Sequence, residues 1–501
     1  MAPAIWVAPW VLALCIRASA LALAADSLTL DLRGALPVTS PIPPNFASLS
    51  VEVDDLPRYL GPAPNTSVAW TNLMRLLRRA SSAEGPTLRV GGDSSDYSLW
   101  WPSGGPLPAR QTYAITEADL AMYAAALPTW GGRMVLGTSL FLPNSTTWAA
   151  AHAAAVTARM GWDLIASVEV GNEPEGFNGA EGFRPRGWRP ADYAAEFAAH
   201  LDALELAGMP PRRAQGFVLG GNDSSFNAFF VGGNFTRAFA PRLASVSRHA
   251  YALDGCAAGR APPTVADLLA NGASEGFAAF LAPYAAAAAA SGVPFVVGEA
   301  GSASCGGAKG VSDVFAAALW GLDALLSIAY LNASQVNMHG GPHNAYSPIH
   351  TSPPSLGPRA MPVFYALWAA SVATANRSVL LAPLARGGSA PPLVRAHALR
   401  EEAGGGATRV VVVHKAPQGA ALAVRVAGCG GGAQAATLLR LVAASVAASS
   451  GVSCGGETLD GAADGVPTPA GPPPEPLAPS GGEFLFTLPP GTAAVLSCHA
   501  G

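Results

Sequence analysis

Two glutamates in this chain each follow an apolar run that is typical of a buried strand. Glu173 comes just before the final proline of the run SVEVGNEP at 167–174, and Glu299 is the last residue of the run PFVVGE at 294–299. Proline cannot donate to a sheet ladder, so the first strand must end at Pro174. Two carboxylates about 5–5.5 Å apart are what retaining glycosidic hydrolysis needs, one as acid/base and one as nucleophile. The pair therefore predicts cleavage of a glycosidic bond.

A regular alternation of strands and helices must position these glutamates. A lone glutamate after a strand is usually solvated or ion-paired, but eight short apolar runs here alternate with helical spacings. This predicts a (β/α)8 TIM barrel, with Glu173 and Glu299 at the carboxyl ends of strands four and seven, where that fold carries its active site. The predicted strands are Phe46–Val53, Thr87–Val90, Arg133–Leu136, Ser167–Val170, Gly216–Leu219, Val246–Tyr251, Phe295–Val297 and Gln335–Met338.

The chain changes character after about residue 380. Short β-like runs at Val410–His414, Ala421–Val426, Thr437–Val442 and Phe484–Leu488 are separated by Gly, Pro and Ser. We predict a catalytic barrel over 26–380 and an all-β sandwich domain over 381–501, with 26–35 as a candidate extra strand of that domain. Ala462–Gly482 is predicted to be a loop.

Composition limits the possible partners. Net charge is −4 and 12% of residues are charged, so no nucleic-acid or anionic-membrane surface is indicated. No interior apolar run reaches the roughly 18 residues of a membrane span. We expect a monomer with a glycan or glucuronide substrate, no nucleic-acid partner, no membrane span in the mature chain, no metal and no cofactor.

The N-terminal residues predict secretion. Residues 1–25 are apolar and end in small residues, as a signal peptide does. Six sequons begin at Asn65, Asn144, Asn222, Asn234, Asn332 and Asn376, so a secreted glycoprotein is predicted, in the extracellular space, cell wall or a lysosome-like compartment.

Five cysteines follow the predicted signal peptide, and two of them lie in neighbouring loops. Cys256 follows the sixth predicted strand and Cys305 the seventh, so their loops share one face of the barrel. We predict a disulfide between them, which requires Cα atoms within about 7 Å. It would brace the loop beside Glu299 and constrain the unfolded chain.

Several motifs together resemble the heparanase and β-glucuronidase family of glycoside hydrolases, family seventy-nine, and are nearest to its microbial β-glucuronidase branch. The resemblance covers roughly residues 45–380, and the tail resembles that branch loosely. The matching segments are Leu88–Gly92, Val168–Pro174, His249–Tyr251, Gly298–Glu299 and Val311–Trp320.

The resemblance implies a role for each matching residue. Glu173 would be the acid/base and Glu299 the nucleophile. Asn172 would bond the sugar 2-hydroxyl, and Tyr251 would orient Glu299. The remaining implied substrate-binding residues are Glu52, Asp93, Gly306 and Gly307, the two glycines through a loop whose amides hold a uronate carboxylate. His339, which ends the eighth predicted strand, is a further candidate for substrate contact, with a supporting structural role as the alternative.

Two departures from heparanase keep other substrates open. Ser304 and Cys305 stand where heparanase has a tyrosine, and Asp93 stands for a threonine. We predict a secreted retaining β-glucuronidase that removes terminal glucuronic acid from glycans. The alternatives are a heparanase-like endo-β-glucuronidase, a retaining β-glycosidase for neutral sugars, and an inactive carbohydrate-binding wall protein. Sulfated polymers usually need dense Lys and Arg along the cleft, and this chain has 29 in all.

Overall fold

Eight parallel strands close into a barrel whose neighbours follow chain order. In a computed structural model of the protein, the described residues are 26–78, 82–142, 145–178, 183–256, 259, 261–382, 385–388, 392–402 and 406–499. The predicted signal peptide, the sequon at Asn144 and Cys15 lie outside them. The barrel strands are Ala47–Glu52, Leu88–Gly91, Met134–Thr138, Ile165–Val170, Ala214–Leu219, Leu243–Leu253, Phe295–Ala303 and Gln335–Gly340. The predicted (β/α)8 barrel is confirmed.

Helices follow the strands around the barrel. The helical segment after the sixth strand is divided at Asn271–Ala273, where Gly272 has low helix propensity. None of the helices in the described part of the chain combines the length and apolar character needed to cross a membrane. The α-helices are Leu56–Leu60, Val68–Leu77, Asp93–Asp96, Glu117–Ala126, Ser145–Arg159, Pro190–Leu206, Ser224–Val231, Asn234–Phe239, Val265–Leu269, Glu275–Ala290, Phe315–Ala329 and Phe364–Ala373.

Two of these helices are covered on both sides. Every residue of Phe315–Ala329 is buried, and so is nearly all of Phe364–Ala373. A helix that is apolar all round must lie inside the protein. The first lies against the C-terminal β-structure, where the amides of Phe315 and Ala316 donate to the carbonyls of Ala448 and Val446.

The C-terminal β-structure contains two sheets that share one core. Leu28, Val424 and Phe486 of the smaller sheet pack with Val410 and Leu496 of the larger one, which is the arrangement of a sandwich. The smaller sheet has the order Ala385–Gly387, Asp26–Asp31, Leu422–Ala427, Glu483–Leu488. The larger has the order Val379–Leu380, Val394–Arg400, Thr408–His414, Thr492–His499, Ala435–Val442, Ser453–Cys454, Glu457–Thr458, Thr468–Pro469, with Glu475–Leu477 also beside Ala435–Val442.

Several short strands lie outside the barrel and the main runs of the β-structure. Asp26–Asp31 pairs in parallel with Leu422–Ala427, so the N-terminal strand is part of the second sheet system. The segment Ala462–Gly482, predicted as a loop, contains two short paired strands because its extended prolines can lie at sheet edges. Two further strand pairs lie in barrel loops: Ser98–Trp100 with Tyr113–Ile115, and Ile349–His350 with Arg359–Ala360.

Candidate active site

Glu173 leaves the fourth barrel strand in a strained conformation. The strand ends at Val170, Gly171 has φ 73°, and Glu173 itself has φ 44° and ψ 54°. A left-handed conformation is uncommon for a residue with a side chain and costs of order 1–3 kcal/mol. The Glu173 amide donates to the Val218 carbonyl at 3.0 Å, which pins this turn to the fifth strand. Strain of this kind concentrates at functional sites.

Glu299 lies at an irregularity within the seventh strand. The sequence predicted that this strand ends at Gly298–Glu299, but it runs from Phe295 to Ala303. The register shifts between Val297 and Ala300 against both neighbouring strands. A bulge of this type re-aims a side chain, which explains how a strand can continue past a residue that faces the barrel mouth.

The two carboxylates face each other across a histidine. Ligand atoms of Glu173, His249 and Glu299 all lie within 4.8 Å of one another. His249 Nδ1 is 2.8 Å from Glu173 Oε1 and 3.8 Å from Glu299 Oε2. Burial lowers the pKa of His249 to about 4, so its imidazole is neutral at neutral pH. The histidine therefore positions Glu173 without adding a charge.

The pKa values of the two glutamates are shifted in opposite directions. Burial and the charge of Glu299 raise the pKa of Glu173 to about 7. For Glu299, burial acts upward, but His339 and the directly paired Arg89 outweigh it and lower the pKa well below its usual range. The Glu173 side chain is 37% exposed and that of Glu299 8% exposed. One carboxyl can thus hold a proton at neutral pH while the other stays ionised.

Arg89 explains the charge on Glu299 and was not assigned a role from the sequence. It is fully buried in the second strand, with its Nη1 2.6 Å from Glu299 Oε1 and its Nη2 2.5 Å from Glu169 Oε1. Its Nη2 also donates to Asn172 Oδ1 at 2.9 Å. The available signal was an arginine inside the apolar run Leu88–Val90, since a charge in a buried strand must be paired.

Two of the implied binding residues lie around Glu299: Tyr251 contacts it directly, and Asn172 contacts its partner Arg89. The Tyr251 hydroxyl donates to Glu299 Oε2 at 2.8 Å, as expected of a residue that orients this carboxylate. Asn172 is fixed on three sides: its Oδ1 accepts from Arg89, its Nδ2 donates to Asp93 Oδ1 at 3.0 Å, and its amide donates to Asp96 Oδ2 at 3.0 Å. Asp93 thus lies beside Asn172 at the barrel mouth.

His339 and Glu52 form the opposite wall. His339 Nε2 is 3.4 Å from Glu52 Oε1, and its Nδ1 lies 2.9 Å from Ser50 Oγ. Burial acts to lower the pKa of His339, but Glu299 and Glu52 outweigh it and the pKa is raised. The Tyr346 ring packs against those of His339 and Tyr251, so this tyrosine lies at the site.

The glycine-rich loop after the seventh strand borders the same tyrosine. A Cβ on Gly307 would meet the Tyr346 amide at 2.7 Å, so only glycine allows this close approach. The Gly307 amide already donates to the Ser304 carbonyl at 3.2 Å. Among the described residues, no atom accepts a hydrogen bond from the amides of Cys305 and Gly306. These two amides, rather than that of Gly307, are available to an anion.

The predicted disulfide is confirmed. Cys256 and Cys305 are bonded, with 5.3 Å between their Cα atoms, and the bond ties this loop to the one after the sixth strand. A second disulfide joins Cys429 to Cys498 in the sandwich. Cys454 is buried and carries a free thiol.

A cavity of about 90 Å³ adjoins the acid/base candidate, and its lining is acidic. It lies at the ends of the second, fourth and fifth barrel strands. Its lining residues are Asp93, Asp96, Tyr97, Asn172, Glu173, Glu175, Gly176 and Gly221.

Two groups of side chains could offer three metal ligands each within 4.8 Å: Glu52, Glu299 and His339, and Glu173, His249 and Glu299. Both groups include Glu299, which already pairs with Arg89. The guanidinium would repel a cation bound there, so these groups suit hydrogen bonding and proton transfer better than metal binding.

Comparison with known proteins supports the resemblance drawn from the motifs. A β-glucuronidase of Aspergillus niger is 26% identical over 366 residues, which is 65% of this chain and 63% of the relative. A β-glucuronidase of Neurospora crassa is 25% identical over 355 residues, 64% of this chain and 62% of the relative. The chain thus spans less than two thirds of the length of either relative. The predicted resemblance to β-glucuronidases is confirmed.

A structural match supports the fold. The 4-O-α-L-rhamnosyl-β-D-glucuronidase of Fusarium oxysporum 12S superimposes with a TM-score of 0.75 at 18% identity, over 94% of this chain and 100% of that one. At this identity the match concerns the barrel and its β-domain. No protein-family model matches this chain.

Proposed function

We propose that this protein is a retaining β-glucuronidase, with Glu173 as acid/base and Glu299 as nucleophile. The observation that carries the proposal is the opposed proton affinity of two carboxyl groups whose oxygens lie within 4.8 Å. Oxygens this near each other are compatible with a retaining pair, whose carboxyl groups lie about 5–5.5 Å apart, and favour it over an inverting pair, whose carboxyl groups lie about 6.5–9.5 Å apart.

In the proposed first step, the Glu173 proton passes to the glycosidic oxygen while Glu299 attacks the anomeric carbon. The bond from that carbon to the leaving oxygen breaks, and a glycosyl ester forms on Glu299. Water then gives a proton to Glu173 and attacks the same carbon, which releases the sugar and restores the Glu299 carboxylate.

The pKa of Glu173 is expected to change during this cycle. The negative charge of Glu299 is one cause of the raised pKa of Glu173, and that charge disappears when the ester forms. The pKa of Glu173 then falls, so that the acid of the first step becomes the base of the second. Arg89 and Tyr251 hold Glu299 ionised and oriented for the attack.

The proposed sugar is glucuronic acid. The two relatives are named β-glucuronidases, and the free amides of Cys305 and Gly306 offer a carboxylate charge-assisted hydrogen bonds. The raised pKa of His339 favours its positively charged form in the site. Asp93 lies beside Asn172, the residue proposed for the sugar 2-hydroxyl, so it would meet a hydroxyl rather than the carboxylate.

The acidic cavity beside Glu173 favours unsulfated glycans over the sulfated polymers of the heparanase-like alternative. The leaving group must lie against Glu173, which lines this cavity with Asp93, Asp96 and Glu175. A sulfated leaving group would be repelled there. An inactive carbohydrate-binding wall protein would need neither the strained backbone of Glu173 nor an ionised Glu299.

We further propose secretion, which the two disulfides support because such bonds persist in oxidising compartments.

A panel of 4-nitrophenyl β-glycosides tests the proposal. The glucuronide should be hydrolysed at least about a hundredfold faster than the glucoside, because unpaired loop amides penalise a sugar without the carboxylate. Equal or faster hydrolysis of the glucoside, xyloside or galactoside would replace glucuronic acid with a neutral sugar. Proton NMR of the first product, which must be the β-anomer, decides retention.

A further inference from the structure

Glu175 is a buried carboxylate that the proposed mechanism does not use. It follows Glu173 by two positions and is 7% exposed. Its Oε1 accepts a hydrogen bond from the Gly220 amide at 2.7 Å and another from the Gly221 amide. Its Oε2 has no hydrogen-bond partner among the described residues. Burying a carboxylate with one oxygen unsatisfied is costly, so its presence calls for a reason.

The turn that Glu175 binds is held from both sides. Arg248 Nη1 donates to the Leu219 carbonyl at 2.8 Å, and its Nη2 donates to the Gly221 carbonyl at 2.9 Å. Glu175 therefore fixes the amides of the Gly220–Gly221 turn while Arg248 fixes carbonyls at its two ends. The position of this turn depends on two buried charged side chains.

This turn supports the carboxylate of Glu173. A Cβ on Gly220 would lie 1.7 Å from Glu173 Oε1, so the carboxylate rests directly on the glycine backbone. A shift of the turn would displace Glu173, and misplacement of a catalytic group by about 1 Å can cost a hundredfold in rate.

We propose that Glu175 is a positioning residue for the acid/base. It holds the Gly220–Gly221 turn beneath the Glu173 carboxylate and places a second negative charge beside it, so that Glu173 keeps its proton until the leaving group takes it. This inference rests on the proposed role of Glu173.

Several charged groups around Glu173, including Glu175, act on its pKa. Burial and the charge of Glu173 raise the pKa of Glu175 to about 7, and because the interaction is reciprocal, a charge on Glu175 acts upward on Glu173. The other groups that face Glu173 are Glu299, which raises its pKa, and Arg248, Arg89 and His339, which lower it. His249 is in direct contact and neutral, and Asp93 and Asp96 line the same cavity.

Two substitutions separate the positioning from the charge. Glu175→Gln keeps an acceptor oxygen for the two amides and removes the charge, whereas Glu175→Ala removes both. Glu205→Gln, which breaks an ion pair with Arg242, is the matched control. The pH dependence of kcat/KM is measured for a glucuronide with an activated leaving group and for one with an alcohol leaving group.

We expect Glu175→Gln to shift the basic limb of the profile to lower pH by about one unit. Glu175→Ala should in addition lower kcat at least about tenfold for the alcohol leaving group and much less for the activated one, because only the former needs the proton of Glu173. An unshifted limb in Glu175→Gln, or equal losses with both leaving groups in Glu175→Ala, would overturn the proposal.

A second measurement keeps the inference separate from the proposed activity. If the wild type hydrolyses no glycoside, the proposed function fails, but Glu173 can still be titrated by NMR with isotopically labelled glutamate carboxyls. The signal of Glu173 is the one that Glu173→Gln lacks. Its titration midpoint should be lower in Glu175→Gln than in the wild type and in Glu205→Gln, and an unchanged midpoint would overturn the inference.

Discussion

Two buried clusters of charge lie in different parts of this molecule. The cleft cluster consists of Arg89, Glu169, Glu173, His249 and Glu299 at the barrel mouth. The interface cluster consists of Ser274, Asp323, Arg395, His397 and Lys415, between a barrel helix and the larger sheet.

The two clusters differ in how many hydrogen bonds and opposite charges their carboxylates receive. In the interface cluster, Asp323 Oδ1 faces His397 at 2.9 Å, and Oδ2 accepts from Lys415 at 2.8 Å and Ser274 at 2.5 Å. Burial acts upward on its pKa, but His397 and Lys415 outweigh it and lower the pKa. In the cleft, Glu299 is held ionised in the same way, but Glu173 beside it is half-open and has a raised pKa.

A buried carboxylate with a lowered pKa therefore occurs both in a structural ion cluster and in the candidate active site, and does not by itself indicate catalysis. The feature that distinguishes the cleft is a neighbouring carboxyl with the opposite shift and access to solvent. The interface cluster has no such neighbour in the described part of the chain, so we expect it to contribute stability and no chemistry.

The largest expected effect comes from the nucleophile. Glu299→Gln should lower kcat at least about ten-thousandfold on every substrate, whatever the leaving group, because no glycosyl ester can form. Its thermal unfolding should stay close to that of the wild type, since the glutamine oxygen can still accept from Arg89 and its NH2 group can donate to the Tyr251 hydroxyl. Substantial turnover in this variant would show that Glu299 is not the nucleophile and would remove the contrast between the two clusters.

Glu173→Ala should give a smaller loss that depends on the leaving group. An alcohol leaving group needs protonation, so its release should slow about a thousandfold. A 4-nitrophenyl group needs little protonation, so formation of the glycosyl ester should be spared. Azide should then restore turnover by attacking the ester, with a β-glucuronosyl azide as product. Equal losses for both leaving groups, with no azide product, would contradict the assignment.

Lys415→Ala should affect stability and leave the chemistry alone. Removing Lys415 takes one of the two charged partners named above from the buried charge of Asp323, which costs up to about 3–5 kcal/mol. Denaturant unfolding measures the loss, and the pH profile of kcat/KM should not move. Arg242→Ala, in a partly exposed ion pair, is the control and should cost about 1 kcal/mol or less. A shifted pH profile in Lys415→Ala would mean that the two clusters are coupled.

The sequence was sufficient for the barrel and for the central glutamates. The places of Glu173 after the fourth strand and of Glu299 on the seventh follow from proline, glycine and the period of apolar residues, which are local signals. The facing loops of Cys256 and Cys305 follow from the topology of a parallel barrel.

Apart from Tyr251, which the family resemblance implied, the partners of these glutamates could not be predicted, because they come from strands distant in the chain. Arg89 reaches Glu299 across 210 positions, and Glu175 binds amides 45 and 46 positions away. The bulge that lets the seventh strand continue past Glu299 depends on packing against its neighbours. The sequence did mark 26–35 as a candidate strand of the β-domain, but its parallel pairing with a strand about four hundred residues later depends on contacts distant in the chain.

The smallest expected effect is a dependence of stability on pH that has opposite signs in the two clusters. Asp323 has a lowered pKa, so its contribution is full above the pKa of the unfolded chain and is lost only as pH falls through the folded value. Glu173 has a raised pKa of about 7, so the folded state loses stability as pH rises from about 4.5, the unfolded value, towards 7.

Glu173→Gln removes that loss and should unfold about one or two degrees higher than the wild type at pH 7.5, with little difference at pH 5, since the half-open side chain is partly screened. Differential scanning calorimetry at the two pH values measures this, with Glu205→Gln as the control. A gain that is equal at both pH values would mean that the carboxyl group of Glu173 is not under strain from its charged neighbours, and the cleft cluster would then resemble the interface cluster.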